Sequence, residues 1–250
     1  MGGNVKLSVV IPTMDRYEIL KETLPKLCRH GFYEIIVVDS SGPVDAFKNR
    51  KLCEKLRVRY YHFVGNREEA RNFGVEKARG EWVYIFDDDG NLEEFNWRVF
   101  NDVASRSYDF IYRKGCYVWI FRRDFFLKIG GYDPNLCYGD DYDITVRAFK
   151  CGKGARITNL TKFGVPVQGS LKMRWKGTLY YGMSMLSFFA KYPTLKHALS
   201  VPYRPVFFLK KFFQERTWEN LIKFGLTTLG VILSLFYYLK YPPLISLNNA

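Results

Sequence analysis

A mixed, mostly parallel α/β sheet flanked by helices is the fold class this sequence predicts, on three observations. Apolar runs rich in β-branched and aromatic residues recur at Leu7–Ile11, Glu34–Val38 and Trp82–Phe86, the form taken by strands buried on both faces. Stretches with helical spacing or helix-start and helix-stop signals lie between them. Two of the runs end abruptly in carboxylates, Asp39 and Asp87 to Asp89, which puts acidic groups just past strand carboxyl ends. That edge is where parallel sheets bind ligands.

The elements follow in order. Leu7–Ile11 reads as a strand closed by Pro12. From Asp15 to His30, apolar positions at Ile19, Leu20, Leu24 and Leu27 predict a helix stopped by Gly31, with Pro25 expected to kink or shorten it. Glu34–Val38 is the second strand, and Asp39 before Ser40, Ser41 and Gly42 fits equally an Asx turn and a ligand contact. Tyr60–Val64 is a third strand candidate. Asn66 with Glu69 forms a capping-box start, and Gly80 closes a helix over Arg67–Arg79. Arg71 and Asn72 lie inside it; mid-helix Asn is disfavoured unless it bonds something, and Arg71 is either solvated or an anion contact.

The central stretch is Glu81 to Gly90, a strand ending in three aspartates and a glycine. Alternation along the chain lets Asp87 and Asp89 face one ligand while Asp88 points away. Two convergent carboxylates suit a hard divalent cation bridging to a diphosphate, and a solvated acidic turn is the competing reading. A helix over Phe95–Ala104, a segment Phe110–Tyr112 and a strand over Cys116–Phe121 follow. The second acidic cluster, Asp140, Asp141 and Asp143, opens a helix that runs to Lys150 with Gly152 as its stop. With Asp140 as N-cap and Asp143 at N3 a capping box would close, leaving Asp141 with a free carboxylate in the first turn. Asp141 is then either a favourable helix-dipole charge or a general base.

With 250 residues the chain buries a sizeable core. Its five cysteines are odd in number and dispersed, which indicates neither a disulfide framework nor a zinc site and fits a reducing compartment; the first apolar run is too short for a signal peptide. The net charge of +13 is unevenly spread: residues 1–150 hold 24 Lys and Arg against 23 Asp and Glu, residues 151–250 hold 14 against 2. That describes a near-neutral globular head and a basic, aromatic tail with an anionic partner.

Six motifs carry a family resemblance: Val9–Arg16 (VVIPTMDR), Glu34–Gly42, Ala70–Trp82, Ile85–Gly90, Phe121–Asp133 and Gly139–Gly152. In this order they resemble family-2 glycosyltransferases of the GT-A fold. The resemblance implies a Rossmann-like sheet, a nucleotide-diphospho-sugar donor, Mg2+ or Mn2+, a glycan or lipid-linked acceptor, and a single displacement with inversion. It implies donor contacts from Pro12, Asp39 (to the nucleoside base), Arg71, Asn72, Asp87 and Asp88, a DxD metal motif in Asp87 and Asp89, and catalysis by Asp141 as general base beside Asp140. Departures are Ser40-Ser41-Gly42 for the usual Asp-Gly-Ser, no histidine near Val165–Ser170, and a Gln168 to Arg174-Trp175 spacing unlike that of processive synthases. It divides the chain into a catalytic domain over 1–160, with a nucleotide-sugar half 1–90 and an acceptor half 91–160, and a helical tail over 161–250.

Two other classes compete. A sugar-1-phosphate nucleotidyltransferase needs a glycine-rich loop after the first strand, and Pro12 to Arg16 contains no glycine. A nucleic-acid-binding protein would use the basic tail but leave the aspartate-ended strands unexplained, so no nucleic acid partner is expected. The tail is instead expected to attach to an anionic membrane surface. Leu221–Leu239 carries one charge, Lys223, and as a helix would be about 28 Å long against a hydrocarbon core of about 30 Å. Upstream, Phe207, Phe208, Phe212, Phe213 and Trp218 alternate with Lys210, Lys211 and Arg216, as in an interfacial helix. The head would then sit at the cytoplasmic membrane face; a soluble protein with a packed tail is the alternative.

Overall fold

The computed structural model describes residues 5–113, 118–136 and 139–165 and, beyond these, 188, 190–192, 206, 209–211, 213–216, 218, 221–225, 228–229 and 232–233. Two compact units are present, Met1–Tyr132 with Asp141–Gly169 and Asp133–Asp140 with Ser170–Ala250.

The first unit is built on a seven-stranded sheet. Its strands are β1 (Leu7–Thr13), β2 (Glu34–Asp39), β3 (Arg59–His62), β4 (Trp82–Ile85), β6 (Phe110–Tyr112), β7 (Val118–Arg122) and β8 (Gly154–Arg156), in the order β3-β2-β1-β4-β7-β6-β8. Pairs β1–β2, β2–β3, β1–β4 and β6–β8 are parallel; β7 is antiparallel to both neighbours. A separate antiparallel ribbon joins β5 (Leu92–Phe95) to β9 (Thr161–Phe163). The expected mixed, mostly parallel sheet is thus observed.

Alternate residues of the central strands feed two cores. Val9, Ile11, Ile35 and Val37 pack with Leu20 and Leu24 of α1 (Tyr17–Leu27), Cys53 of α2 (Pro43–Leu56) and Phe100 of α4 (Trp97–Ala104). Val10, Ile36, Val38, Val83 and Ile85 pack with Val75 of α3 (Arg67–Lys77), Phe126 of α5 (Arg123–Lys128) and Ile144 of α6 (Asp140–Cys151). Full burial of strands on both faces explains why they read as continuous apolar runs.

Several boundaries differ from expectation for physical reasons. β1 does not close at Pro12 but runs through it to Thr13, paired with β2 as Pro12↔Val38. The β1–β4 register ends at Val10↔Ile85, so the missing N–H of Pro12 faces the side where β4 has stopped and no ladder bond is lost. α1 passes Pro25, gives way to a 3-10 turn at Cys28–His30 and ends at Gly31 with φ 70. The capping box of α3 forms as expected, with Asn66 accepting from the Glu69 N–H and Glu69 accepting from the Asn66 N–H, but the helix ends at Lys77 rather than Arg79. The backbone beyond is drawn to the sheet: Glu34 accepts from Ser8 Oγ (2.7 Å), from the Arg79 N–H (2.6 Å) and from Arg59.

Two predictions arise here. Gly74 lets α3 lie against the sheet, since a Cβ would fall 2.3 Å from Val10 Cγ1 and 3.0 Å from Val38 Cγ2. Gly74→Ala should cost about 1–3 kcal/mol by overpacking, only partly offset by about 1 kcal/mol of helix propensity, and a urea titration would show the lower midpoint. The Glu34 carboxyl is held below the usual range: burial would raise it, but the bonds from Ser8, the Arg79 N–H and Arg59 outweigh burial. A lowered folded pKa means that this contribution is present above the ordinary value of 4.5 and fades as pH falls through the folded one. The stability difference between wild type and Glu34→Gln should therefore shrink on acidification below pH about 4.5.

Most of 221–239, along with Phe207, Phe208, Phe212, Tyr237, Tyr238, Tyr241, Gln168 and Arg174-Trp175, lies outside the described residues. Among the described residues no helix is long and apolar enough to cross a membrane.

Candidate active site

The carboxyl ends of β1 and β4 and the following loops of the first unit deliver the acidic groups. Thr13, the last residue of β1, donates its Oγ1 hydrogen to Asp88 Oδ2 at 2.7 Å, and Thr23 Oγ1 of α1 donates to the Asp88 carbonyl at 2.7 Å. Between them Asp15 adopts the left-handed region, φ 51, and ties the β1 loop to the β2 loop: its N–H donates to Ser41 Oγ and its Oδ1 accepts from the Gly42 N–H. This fold of the loop presents Arg16. Its Nη1 donates to Asp88 Oδ1 at 2.5 Å and its Nη2 to Asp89 Oδ2 at 2.9 Å.

Asp88 therefore points inward, 4% exposed, while the side chains of Asp87 and Asp89 are 42% and 36% exposed. Burial pushes the Asp88 carboxyl up to about 6 against the pull of Arg16 and Thr13. Asp87 is held on its other flank by Arg71 Nη2 at 2.9 Å. Far from solvated, Arg71 is 3% exposed: it lies over the Tyr132 ring, 4.6 Å from its centroid, and its Nη1 is 3.8 Å from Asp141 Oδ1. The Tyr132 hydroxyl is 3.5 Å from the same oxygen. Arg71 thus stands between Asp87 of the first acidic cluster and Asp141 of the second.

Asn72, the next residue of α3, clamps Tyr132 at both ends, donating to its carbonyl and accepting from its N–H, each at 2.8 Å. The clamp requires Gly131, φ 61, where a Cβ would fall 2.5 Å from Asn72 Oδ1. Arg147 fastens the same turn through the Ile129 and Gly131 carbonyls and reaches Asp143 at 2.5 Å.

Three further residues of the motifs are placed as follows. Asn72 spends its side-chain amide on the backbone of Tyr132. Asp39 is fully buried, its oxygens accepting from the Ser41 N–H, Asn49 Nδ2 and Tyr60 OH, which holds the β2 loop in an Asx turn. α6 already includes Asp140, 4% exposed, and Asp143 is drawn to Arg147 four residues on. Sequence reasoning gave no role to Thr13, Arg16, Tyr132 or Arg147. All four lie inside the quoted motifs, Thr13 and Arg16 in the first, Tyr132 in the fifth and Arg147 in the sixth.

As a cation site, Asp87 and Asp89 supply two hard, half-open carboxylates. Among the described residues no group of three His, Cys, Asp or Glu side chains comes together. The donor set fits a Mg2+ or Mn2+ ion completed by phosphate oxygens and water, rather than an all-protein cage.

Comparison with known proteins agrees with this architecture. The family described as Glycosyl transferase family 2 is matched by residues 8–100. An uncharacterized glycosyltransferase of Rickettsia bellii (strain RML369-C) is 28% identical over 90 residues, which is 34% of this chain and 13% of that protein, so the chain spans a small part of its length. Among solved structures, the mannosyltransferase PcManGT of Pyrobaculum calidifontis in complex with GDP-Man and Mn2+ is similar at TM-score 0.58 and 15% identity, over 94% of this chain and 88% of that one. TarS of S. aureus is similar at TM-score 0.57 and 15% identity, over 94% of this chain and 54% of that one. Motif order, sheet order and these matches agree: residues 8–100 match glycosyl transferase family 2, and the fold is the mixed, mostly parallel α/β sheet of the GT-A glycosyltransferase structures.

Proposed function

We propose that the protein moves a sugar from a nucleotide-diphospho-sugar to an acceptor hydroxyl with inversion, without processivity and near a membrane. The observation that carries this reading is the placing of Asp87 and Asp141 on either side of Arg71 past the strand ends, with Asp89 held nearby by Arg16. Asp141, 27% exposed in its side chain, takes the proton of the acceptor hydroxyl as that oxygen attacks the anomeric carbon. Asp87 and Asp89 would hold a divalent cation, whose chemistry when bound is to neutralise charge on a departing nucleoside diphosphate. Arg71, stacked on the Tyr132 ring, stands beside Asp141 and orients it. Arg16 and the buried Asp88 brace the loop that carries Asp87 and Asp89, and Pro12, near the carboxyl end of β1, is a further donor contact of this reading.

The test is a panel of nucleoside diphosphates scored by Mn2+-dependent thermal stabilisation. The GDP-Man and Mn2+ bound to PcManGT make GDP the first probe. A binder at a hundredfold excess over its Kd should stabilise by about 2.7 kcal/mol, or about 5–10 °C for a chain of this size. No shift with any nucleoside diphosphate would overturn the reading.

Membrane proximity is supported by the described residues of the second unit, where Phe213, Trp218 and Ile232 are 69%, 74% and 65% exposed in a stretch carrying Lys210, Lys211 and Arg216. The protein is expected to sediment with anionic liposomes and a version ending near Pro202 to remain in the supernatant; co-sedimentation of neither would overturn this part.

A further inference from the structure

Within the first unit α3 carries Arg71 and α6 carries Asp141, and both helices feed one apolar core, through Val75 and Ile144. Apolar burial is non-directional, and the 3.8 Å from Arg71 Nη1 to Asp141 Oδ1 is too long to fix their spacing. The turn that follows α5 supplies the direction. Gly130 at φ 83 and Gly131 at φ 61 fold it back, so that their N–H groups donate to the Leu127 and Phe126 carbonyls at 3.1 and 3.0 Å. The turn then offers other backbone groups sideways to both helices. Toward α3, the side chain of Asn72, next to Arg71, takes the N–H and the carbonyl of Tyr132. Toward α6, Arg147 Nη1 donates to the Ile129 carbonyl at 2.5 Å and its Nη2 to the Gly131 carbonyl at 2.6 Å. That guanidinium is itself pinned by Asp143, whose side chain is fully buried. The Tyr132 ring, 1% exposed, ends between the two helices, with Arg71 over its face and its hydroxyl beside Asp141.

We propose that the turn 129–132 is a bracket that sets the spacing of Arg71 and Asp141, and that Asn72, Tyr132 and Arg147 are positioning residues for the base. A carboxylate that must meet one acceptor hydroxyl loses rate when it is displaced by even an ångström, and directional bonds to backbone on both flanks hold it more closely than apolar contact does. The residue types fit the task. An amide holds both a donor and an acceptor of one residue, and a guanidinium spans two carbonyls at once, which an ammonium does not. This rests on the transferase reading, because it takes Asp141 to be the base.

The test uses the full chain with Arg147→Lys, Tyr132→Leu and Tyr132→Phe, and with Glu34→Gln as a control at the first residue of β2, the end of the sheet away from the acidic clusters. Three quantities are read: kcat apart from donor KM, donor-dependent thermal shift, and amide exchange over residues 129–132. Arg147→Lys keeps a cation opposite the buried Asp143, so the chain should fold, but it loses the fork. It should exchange faster over the turn, keep donor KM and the donor shift, and lose about 10²-fold in kcat, as a small misplacement of a reacting group can cost. Tyr132→Leu removes the face beneath Arg71 and should lose as much. Tyr132→Phe keeps that face, and because its hydroxyl contact is as long as 3.5 Å, kcat should stay within about threefold of the wild type. Glu34→Gln should be less stable and keep wild-type kcat. Wild-type kcat in Arg147→Lys would overturn the proposal, as would a rise in donor KM that accounts for the loss, Tyr132→Phe as slow as Tyr132→Leu, or an equal loss of kcat in Glu34→Gln. A wild type that transfers no sugar overturns the transferase reading and the bracket's role with it, a result distinct from an active wild type with equally active variants, which overturns the bracket alone.

Discussion

Asp141→Asn is expected to bind donor as the wild type does and to transfer sugar about 10²–10⁴-fold more slowly. The substitution keeps the shape beside Arg71 and Tyr132 and removes only the ability to accept a proton. Because the contact to Arg71 is long, 3.8 Å, little stability depends on it, and the melting temperature should barely move. Single-turnover measurement separates the effect from binding, since the donor thermal shift should survive while the rate of the chemical step collapses. Normal turnover in this variant would move the role to Asp140 or Asp143.

Asp87→Ala and Asp89→Ala are each expected to abolish the Mn2+-dependent part of donor binding, a loss on the order of the 2.7 kcal/mol that a hundredfold excess of ligand supplies. Asp88→Ala should behave differently. Its carboxylate is buried and satisfied by Thr13 and Arg16, so truncation should cost about 3 kcal/mol of stability, the low end for breaking a buried pair, because Asp89 still engages Arg16. Chemical denaturation reports the second effect and thermal shift with and without EDTA the first. Donor affinity indifferent to EDTA in the wild type would refute the metal assignment.

What could be read from the sequence was local. The α3 capping box needs only Asn66 and Glu69, and the three apolar runs announce strands because both of their faces are covered. α2 was not legible: of its fourteen residues only Asn49 and Cys53 are buried, so it has almost no apolar stripe. α5 and the ribbon β5–β9 are too short to show a period. Within the site, the position of the acidic clusters at strand and helix ends was readable. The burial of Arg71 was not, since it depends on Asp87, Tyr132 and Asp141, which only the tertiary fold brings to it. Asp39 and Asn72 show the converse: both sit in recognisable motifs, yet their partners, Tyr60 and the Tyr132 backbone, are supplied by distant segments.

The pairing of Arg16 and Arg71 with the acidic groups has a consequence for the order of substrate addition. Asp87, Asp88, Asp89 and Asp141 bring four carboxylates to two guanidiniums, so within this group two negative charges stand in excess. A nucleoside diphosphate arriving alone meets like charge, whereas a divalent cation arriving first, or already chelated to the diphosphate, meets attraction and brings the group to neutrality. Addition should therefore be ordered, cation before or with nucleotide. In EDTA the residual nucleotide affinity should rise with ionic strength, because salt screens a repulsion.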